Sequence, residues 1–403
     1  MKKVVLCVIS LFLFSNVIFS QIILKGKVVN EKSEPLENAA IYINNTTFGT
    51  FTDKNGEYQL KINEGKHVLI VSFLGYKTIT EEVNTSEKTK IVYFVLQSKE
   101  NVLDEIVIKK VVYDNDWKYN LVRFKKAFLG TTILAQNCKI LNPKTLSFEY
   151  NYKTKTFTAF AKEPLRIKNK GLGYLITYDL VDFTQNDKQT TYLGYAKYKN
   201  LKKKIKKRWI KNRKKAYNGS RMHFLRSLRN KSLKKEGFNV NQFKRVLNPE
   251  RPLEDEISRA KELIRLHRSP MFFGKKIEPK TPLDSALVVV QKSRLPKYRD
   301  YLYKKNVPYH DMIQASDKNI FLQFKDYLSI IYTKETEEEN YARRNIWKPR
   351  TPLNVQTSAI VMKQKRVVID MLGEIADPLA IFAEGYWSYE KLADMLPLNY
   401  FSK

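Results

Sequence analysis

The chain contains four histidines: His67, His223, His267 and His310. A zinc enzyme needs ligands spaced to meet at one ion, as in His-Glu-x-x-His or a His and a Glu three residues apart. None of the four has a Glu at the third following position, and none begins a His-Glu-x-x-His pattern. We therefore expect no histidine metal site and no bound cofactor.

Other catalytic patterns are sparse. The sequence has no Gly-x-Ser-x-Gly elbow and no phosphate-binding glycine loop. Ser-x-x-Lys occurs at Ser232 and Ser388 without a Lys-Thr-Gly partner, a frequency that chance explains in so lysine-rich a chain. The run from Asp53 to Glu57 resembles half a calcium loop, but its glycine is misplaced for such a loop and a turn accounts for it. We expect no catalytic residues.

An envelope hydrolase acting on glycan or peptide remains an alternative. Such an enzyme needs converging acids for proton transfer. In the predicted second domain, acids such as Glu149, Asp179 and Asp182 would have to meet. Nothing in their spacing brings them together, so the alternative depends on the tertiary structure.

The formal net charge of +32 is concentrated in one part of the chain. Between Lys197 and Arg251 there are 21 Lys or Arg residues against two acids, Glu236 and Glu250. A charge run of this kind is either a solvated face or an electrostatic binding surface.

The densest part of this run has an apolar periodicity. Leu201, Ile205 and Trp209 lie four residues apart with basic residues between them, which predicts a basic amphipathic helix or a long basic hairpin arm. The predicted binding residues are Lys202, Lys203, Lys204, Lys206, Lys207, Arg208, Trp209, Lys211 and Arg213.

Basic patches interleaved with aromatics are typical of nucleic-acid binding. An exported protein seldom meets such a target, so we regard nucleic acid as an unlikely partner. A phosphate-bearing membrane or lipopolysaccharide surface, or another envelope protein, suits the basic segment better, because each lysine near an anionic surface contributes about 1 kcal/mol. A solvated face without a partner remains the alternative.

The amino terminus predicts export. A short basic start precedes an apolar run of roughly 16 residues, ending at Phe19, and cleavage is expected near Ser20. A retained membrane helix is the alternative reading, and no later run is long enough to span a bilayer. Cleavage would leave Cys138 alone, as a buried small hydrophobe or a reactive thiol.

Short strand-like runs follow, from Leu24 to Leu96, separated by turn signals. The pair Asn55-Gly56 supplies the positive φ of a tight turn and predicts a hairpin over residues 51–60. Further β-branched runs end at Ser72-Phe73 and at Leu96. Turns at this spacing predict a β-sandwich.

Five ordered sub-motifs give these residues a family resemblance. They are Gly26-x-Val28, Pro35-Leu36-x-Asn38-Ala39, Thr52-Asp53-x-Asn55-Gly56-x-Tyr58-x-Leu60, Gly65-x-His67 and Ser72-Phe73-x-Gly75-Tyr76. They resemble the carboxypeptidase regulatory-like domain, which has a transthyretin-like β-sandwich fold. This domain is common at the front of exported proteins of the Bacteroidetes type, including TonB-dependent receptors. The resemblance implies a non-catalytic accessory or interaction module over about a fifth of the chain.

The segment Leu103–Ile108 resembles the stretch after this domain in such receptors, where a TonB-contacting sequence often lies. A linker strand at the sandwich edge is the alternative. The remaining chain is too short for a plug and a large barrel, so we do not expect a TonB-dependent transporter.

The second part mixes helices and strands. Trp117, Leu121, Phe124 and Phe128 predict a helix, and tyrosine-rich strands follow up to Ala196. We expect a helix capped by Ser220 that ends at Gly237, and another over residues 254–268 whose acidic start and basic end suit the helix dipole. Four strands between residues 320 and 371 and a short helix over 388–395 complete it.

The sequence thus predicts a mainly β protein, with a transthyretin-like β-sandwich followed by a larger mixed α+β domain. The predicted boundaries are a signal peptide at 1–20, the sandwich at 21–98, a linker at 99–116 and the second domain at 117–403, with a basic insertion near 197–251. The chain's ending, from Gly385-Tyr386-Trp387 onward, resembles uncharacterised exported proteins of the same group. We expect a non-catalytic envelope binding or scaffolding protein in the periplasm or at the outer membrane; the hydrolase and a small outer-membrane β-barrel are the alternatives.

Overall fold

A computed structural model describes residues 21–85, 91–99, 111–187, 189–267, 278–316, 319–345 and 348–402. The chain forms two compact units. Unit 1 contains residues 1–218 and 389–403, and unit 2 contains residues 219–388. The predicted signal peptide and the segment Leu103–Ile108 lie outside the described residues, and the predicted domain boundaries stay predictions.

Unit 1 begins with a β-sandwich of two sheets. One sheet has the strand order β4-β1-β7 and the other β3-β2-β5-β6. The strands are β1 (Gln21–Asn30), β2 (Ala40–Ile43), β3 (Gly49–Phe51), β4 (Glu57–Asn63), β5 (Lys66–Ser72), β6 (Ile79–Asn84) and β7 (Ile91–Leu96). This confirms the predicted sandwich.

The sandwich core follows the two-residue period of its strands. Tyr58, Leu60 and Ile62 are buried on β4 while the residues between them are exposed or half-buried. Leu24 and Val28 of β1 lie in the same apolar cluster. The alternation is a local property of the sequence, which is why the sandwich was predictable.

The predicted hairpin over residues 51–60 is wrong in its pairing. Gly56 has a φ of +75° and forms the expected turn, but β3 and β4 belong to different sheets and do not pair. The turn therefore carries the chain from one sheet to the other. A turn signal in the sequence predicts that the chain reverses direction there, but it does not determine which strand the following strand pairs with.

Gly26 lies where β1, β4 and β7 approach most closely. The Tyr58 ring crosses Gly26, and its hydroxyl donates to the Val92 carbonyl oxygen at 3.1 Å. A β-carbon at Gly26 would lie 1.8 Å from that carbonyl oxygen and 2.7 Å from the Tyr58 ring. Only glycine allows this crossing.

After the sandwich, unit 1 continues with helices α1 (Asn115–Phe128) and α2 (Ile133–Gln136). A sheet of order β8-β11-β12-β10-β9 follows, with β13 paired to β12. The strands are β8 (Cys138–Ile140), β9 (Leu146–Asn151), β10 (Thr156–Ala161), β11 (Leu165–Asn169), β12 (Tyr174–Gln185) and β13 (Thr190–Asn200). Helix α3 (Lys207–Tyr217) follows β13.

Helix α1 is the predicted helix, and aromatic rings hold it on this sheet. Asp114 caps it by accepting from the Trp117 backbone N–H. The rings of Phe124 and Phe183 lie 4.8 Å apart, and Phe128 meets Tyr178 edge to face at 5.1 Å. Aromatic pairs in such geometries add to the stabilisation from their buried area.

Hydrogen bonds within unit 1 join the sandwich, the second sheet and the carboxy-terminal segment. Ala196 of β13 accepts from the Asn45 backbone N–H at 2.8 Å, and Asn45 accepts from Leu398 N–H at 2.7 Å. Asn169 donates from its side chain to the Ala393 carbonyl oxygen at 2.9 Å. The carboxy-terminal segment is therefore part of this unit's polar framework.

Unit 2 contains helices α4 (Arg221–Arg229), α5 (Leu233–Glu236), α6 (Glu254–Leu266), α7 (Pro282–Lys292), α8 (Glu339–Ala342) and α9 (Tyr386–Tyr389), the last of which ends in unit 1. One sheet has the order β15-β14-β18-β19-β21 and another β16-β17-β20. The strands are β14 (Phe238–Leu247), β15 (Tyr298–Lys304), β16 (Ile313–Ala315), β17 (Ile320–Leu322), β18 (Tyr327–Tyr332), β19 (Gln356–Met362), β20 (Val367–Ile369) and β21 (Ile381–Gly385).

Two helix ends in this region differ from the prediction. Ser220 caps α4 as predicted, but α4 ends at Arg229, and Gly237 ends the separate short helix α5. The helix predicted over 388–395 is replaced by α9 and a 3-10 turn, Leu392–Asp394. Helix α6 begins at Glu254, as predicted. No helix among the described residues is both long and apolar enough to cross a membrane.

We predict that Gly26→Ala destabilises the sandwich by about 3 kcal/mol, because the new methyl group overlaps a backbone oxygen that cannot move without disturbing β7. Urea unfolding measures the loss, and hydrogen exchange of the β1 amides assigns it to the sandwich. Lys25→Ala, at an exposed position on the same strand, is the control and should change stability by less than about 0.5 kcal/mol. Equal stabilities of the two variants would contradict the crowding at Gly26.

Candidate functional site

Helix α3 carries the candidate site, and its inner face attaches it to unit 1. Trp209 is buried, and its indole N–H donates to the Lys170 carbonyl oxygen at 2.9 Å. A β-carbon at Gly173 would lie 2.2 Å from the Trp209 ring, so the ring packs directly on this glycine, whose φ is +77°. The helix is held by the turn between β11 and β12.

Arg213, one turn further along α3, is also buried. Its guanidinium donates to the Leu172 carbonyl oxygen and to the Asn200 side chain, each at 2.8 Å. It also lies 3.9 Å from the centre of the Tyr174 ring. Burial lowers the pKa of Arg213, yet the guanidinium stays charged because the ordinary value is so high.

The predicted binding residues therefore divide into two groups. Trp209 and Arg213 face inward and fasten the helix, so neither contributes to an exposed surface in this structure. The other predicted residues are exposed. The sequence alone does not distinguish the inward-facing residues from the exposed ones. The turn between β11 and β12, against which the inner face packs, is distant in the chain.

We define the α3 basic face as the exposed cations of this segment that have no carboxylate partner within 4.0 Å among the described residues. They are Lys202, Lys203, Lys204, Lys206, Lys207, Arg208, Lys211 and Lys215. Ile210 is 56% exposed among them. An exposed isoleucine therefore lies on the same helix as several of these cations.

The start of α3 runs against the usual helix electrostatics. Lys206, Lys207 and Arg208 occupy its first turn, which has no acidic residue and no side-chain cap. Positive charge at a helix amino terminus is unfavourable, because that end already carries partial positive charge. Contacts of the inner face, rather than helix electrostatics, keep this turn in place.

A second cation, Lys197 on β13, was not predicted as special. Its ammonium group is buried, lies 4.1 Å from the centre of the Phe51 ring and 5.7 Å from that of Tyr42, and has no hydrogen-bond partner among the described residues. Burial lowers the pKa of Lys197 to about 8. The sequence does not predict that Lys197 is buried, because Phe51 and Tyr42 belong to the sandwich, far away in the chain.

Among the four histidines, His223 is the one that is buried. It belongs to unit 2, accepts from the Gly219 N–H at 3.2 Å, and lies 3.3 Å from Glu236. Burial lowers the pKa of His223, so the neutral form predominates near pH 7. Among the residues with coordinates described here, no group of three or more His, Cys, Asp or Glu side chains is arranged to hold a metal ion.

The acids of the hydrolase alternative have separate surroundings. Asp179 accepts from the Thr78 hydroxyl at 2.7 Å, whereas Glu149 and Asp182 are exposed. No hydrogen bond joins the three within the described part of the chain. Cys138 is half-buried, and burial raises the pKa of its thiol to about 12, as expected of a packed and unreactive cysteine.

The amino-terminal region has a recognisable family. Residues 24–108 match the family model described as a CarboxypepD_reg-like domain. This part of the chain is a carboxypeptidase regulatory-like domain. The match covers about a fifth of the chain and confirms the predicted resemblance.

A curated relative matches part of the chain. Over 109 residues, the chain is 33% identical to the TonB-dependent receptor SusC of Bacteroides thetaiotaomicron. The aligned stretch covers 27% of this chain and 10% of that receptor. The chain thus spans about a tenth of the length of this relative.

Two solved structures show weaker likeness. A DUF3823 family protein from Bacteroides ovatus is 10% identical over 46% of this chain and 83% of its own, with a TM-score of 0.17. A putative membrane-associated protein of unknown function from Bacteroides fragilis is 8% identical over 91% of this chain and 93% of its own, with a TM-score of 0.16. Scores this low support no conclusion about fold or function.

We predict that the free energy of unfolding rises between pH 8 and pH 10 through Lys197. The folded state releases this proton near pH 8 whereas the unfolded chain keeps it to about pH 10.4, so the unfolded state binds more protons in between. Lys197→Met should remove about 1–2 kcal/mol of this rise. This is less than the full pKa shift corresponds to, because the Lys197 side chain is partly exposed and solvent screens its charge. Urea unfolding across this pH range gives the comparison.

Lys139→Met is the control, since Lys139 is exposed on β8 of the same sheet and is not among the charges that lower the pKa of Lys197. It should keep the pH dependence of the original protein. If the free energy of unfolding of Lys197→Met rises with pH as steeply as that of this control, the Lys197 ammonium group is solvated.

Proposed function

We propose that this protein is a non-catalytic binding protein of the cell envelope, and that the α3 basic face docks it on an anionic lipid surface. The observation that carries the proposal is the α3 basic face itself, whose cations have no carboxylate partner in the described structure. Unpaired lysines and arginines retain their full attraction for phosphate groups outside the molecule.

The geometry suits a broad surface. The cations are spread over the turn before α3 and along the helix as far as Lys215, and Ile210 is exposed on the same helix. A bilayer presents many phosphates over a comparable area, and its interface accepts a single apolar side chain. Because Trp209 and Arg213 hold the helix from within, docking needs no ordering of the helix.

The sequence context supports the envelope as the place of action. The signal-like amino terminus predicts export, and part of the chain is similar to SusC, a TonB-dependent receptor of Bacteroides thetaiotaomicron. A lipid or lipopolysaccharide phosphate in the envelope is therefore a suitable target. A protein partner with an acidic surface is the competing target.

We predict that the triple substitution Lys206→Gln, Lys207→Gln and Lys211→Gln weakens binding to vesicles of phosphatidylcholine and phosphatidylglycerol about 100-fold. Three lysines at about 1 kcal/mol each give this factor. Vesicle co-sedimentation measures the binding, and vesicles of pure phosphatidylcholine should bind neither protein.

The matched control neutralises three exposed lysines elsewhere in the same unit, Lys118, Lys126 and Lys139. It changes the net charge equally and should weaken binding less than 5-fold. Equal losses in both variants would mean that overall charge, not the α3 basic face, attracts the protein. Failure of the original protein to bind anionic vesicles would overturn the proposed lipid target.

We also predict that raising the salt concentration from 0.1 M to 1 M releases the protein from native envelope membranes. The Debye length falls from about 10 Å to about 3 Å over this range, which screens exposed cations. Immunoblotting of the wash and the pellet measures the release. Retention through both salt and carbonate washes would contradict a peripheral, electrostatically held protein.

A further inference from the structure

The sandwich has an apolar core of its own. Among the described residues, every member of its buried cluster lies between Leu24 and Leu96. Its junction with the rest of unit 1 is polar by comparison: the Thr78 hydroxyl donates to Asp179, and the turn over residues 44–48, which we call the β2–β3 turn, makes further hydrogen bonds. A polar junction, unlike a shared apolar core, allows one module to move relative to another.

The β2–β3 turn is held in shape from within the sandwich. The Thr46 hydroxyl donates to the Ile43 carbonyl oxygen at 2.9 Å and accepts from the Phe48 backbone N–H at 3.0 Å. Asn45 has a φ of +56°, a left-handed conformation that asparagine tolerates better than most residues. Because these features belong to the sandwich itself, the turn does not need β13 in order to form.

On one side, the β2–β3 turn lies along β13. The Asn45 N–H donates to the Ala196 carbonyl oxygen at 2.8 Å, and the Tyr198 N–H donates to the Thr46 carbonyl oxygen at 2.9 Å. Between these two bonds, Thr46 and Lys197 form a parallel bridge. The turn therefore pairs with β13 as a short additional strand would.

The carboxy-terminal segment contacts the same turn. The Leu398 N–H donates to the Asn45 carbonyl oxygen at 2.7 Å. The Asn399 side chain accepts from the Thr47 N–H at 3.1 Å and donates to the Thr47 hydroxyl oxygen at 2.6 Å. Asn45 thus donates to β13 and accepts from the carboxy-terminal segment, so the turn is held between the two.

The carboxy-terminal segment is itself fixed to the second sheet of unit 1. We call residues 391–400 the strap. The Ala393 N–H donates to the Leu129 carbonyl oxygen at 3.3 Å, and the Ala393 carbonyl oxygen accepts from the Asn169 side chain at 2.9 Å. Leu392 and Ala393 are each 1% exposed. The first half of the strap is therefore an anchor, and its second half reaches the β2–β3 turn.

We propose that the strap holds the folded sandwich against β13, and that the sandwich undocks as an intact module when the strap separates from the β2–β3 turn. A docked sandwich keeps a fixed position within unit 1, whereas an undocked one does not. The strap follows unit 2 in the sequence, so docking is completed only after unit 2 has been synthesised. This inference does not depend on the α3 basic face.

Hydrogen exchange of single amides in the full chain tests the proposal, because the Asn45 and Tyr198 amides bond across the junction with β13. Asn399→Ala removes both hydrogen bonds to Thr47 and should speed the exchange of these two amides about 10-fold. The β1 amides, which lie inside the sandwich, should keep their original exchange rates. Unchanged exchange at Asn45 and Tyr198, or equal acceleration in β1, would overturn the proposal.

Asn55→Ala is the matched control, since Asn55 is exposed in the turn before β4. It makes the same chemical change in the sandwich and should alter exchange of the Asn45 and Tyr198 amides by less than about 2-fold. An acceleration as large as that of Asn399→Ala would mean that these amides follow the general stability of the sandwich, and it would refute the role of the strap.

A second variant keeps the test decisive where Asn399→Ala disturbs the strap itself. Thr47→Val removes the hydroxyl that accepts from Asn399 and leaves the strap unchanged. Alone, it should speed exchange of the Asn45 and Tyr198 amides about 5-fold. Combined with Asn399→Ala it should add nothing, because the hydroxyl has already lost its partner. Additive accelerations would show that Asn399 acts elsewhere than on the β2–β3 turn, which contradicts the proposal.

Discussion

The packing of Trp209 on Gly173 fixes the surface on which the proposed function depends. Gly173 has no side chain and a positive φ, so the turn between β11 and β12 brings its backbone against the indole ring. Lys170 and Leu172 of the same turn accept hydrogen bonds from Trp209 and Arg213. With its inner face held in this way, α3 presents its remaining cations outward.

These contacts also explain how a helix with adverse electrostatics persists. The first turn of α3 holds three adjacent cations and no acid, which opposes the helix dipole and adds repulsion between like charges. With these charges and no other contacts, the amino-terminal end of α3 would fray. Burial of Trp209 and the hydrogen-bonded Arg213 compensates for it, so the charges of this turn do not contribute to the stability of the helix.

Lys197 and Arg213 show two ways in which unit 1 accommodates a buried cation. Arg213 donates to a carbonyl and an amide oxygen and lies over a ring, so its charge is well compensated. In the described part of the chain, the Lys197 ammonium group has no hydrogen-bond partner and lies near two ring faces, which compensate a cation partly. The difference explains why burial shifts the pKa of Lys197 into a range where a proton is lost in mildly alkaline solution.

The strands of the sandwich, helix α1 and the basic run were readable from the sequence alone, since each rests on local period or composition: Tyr58 and Leu60 alternate, and Phe124 and Phe128 recur at helical spacing. Family motifs such as Gly26-x-Val28 identified the amino-terminal domain. Only the tertiary structure decided that β3 and β4 belong to different sheets, and that Trp209 and Arg213 face inward while Lys207 and Lys211 face outward. It also decided that Lys197 lies against Phe51. Each of these depends on contacts between residues far apart in the chain, which neither periodicity nor charge counting encodes.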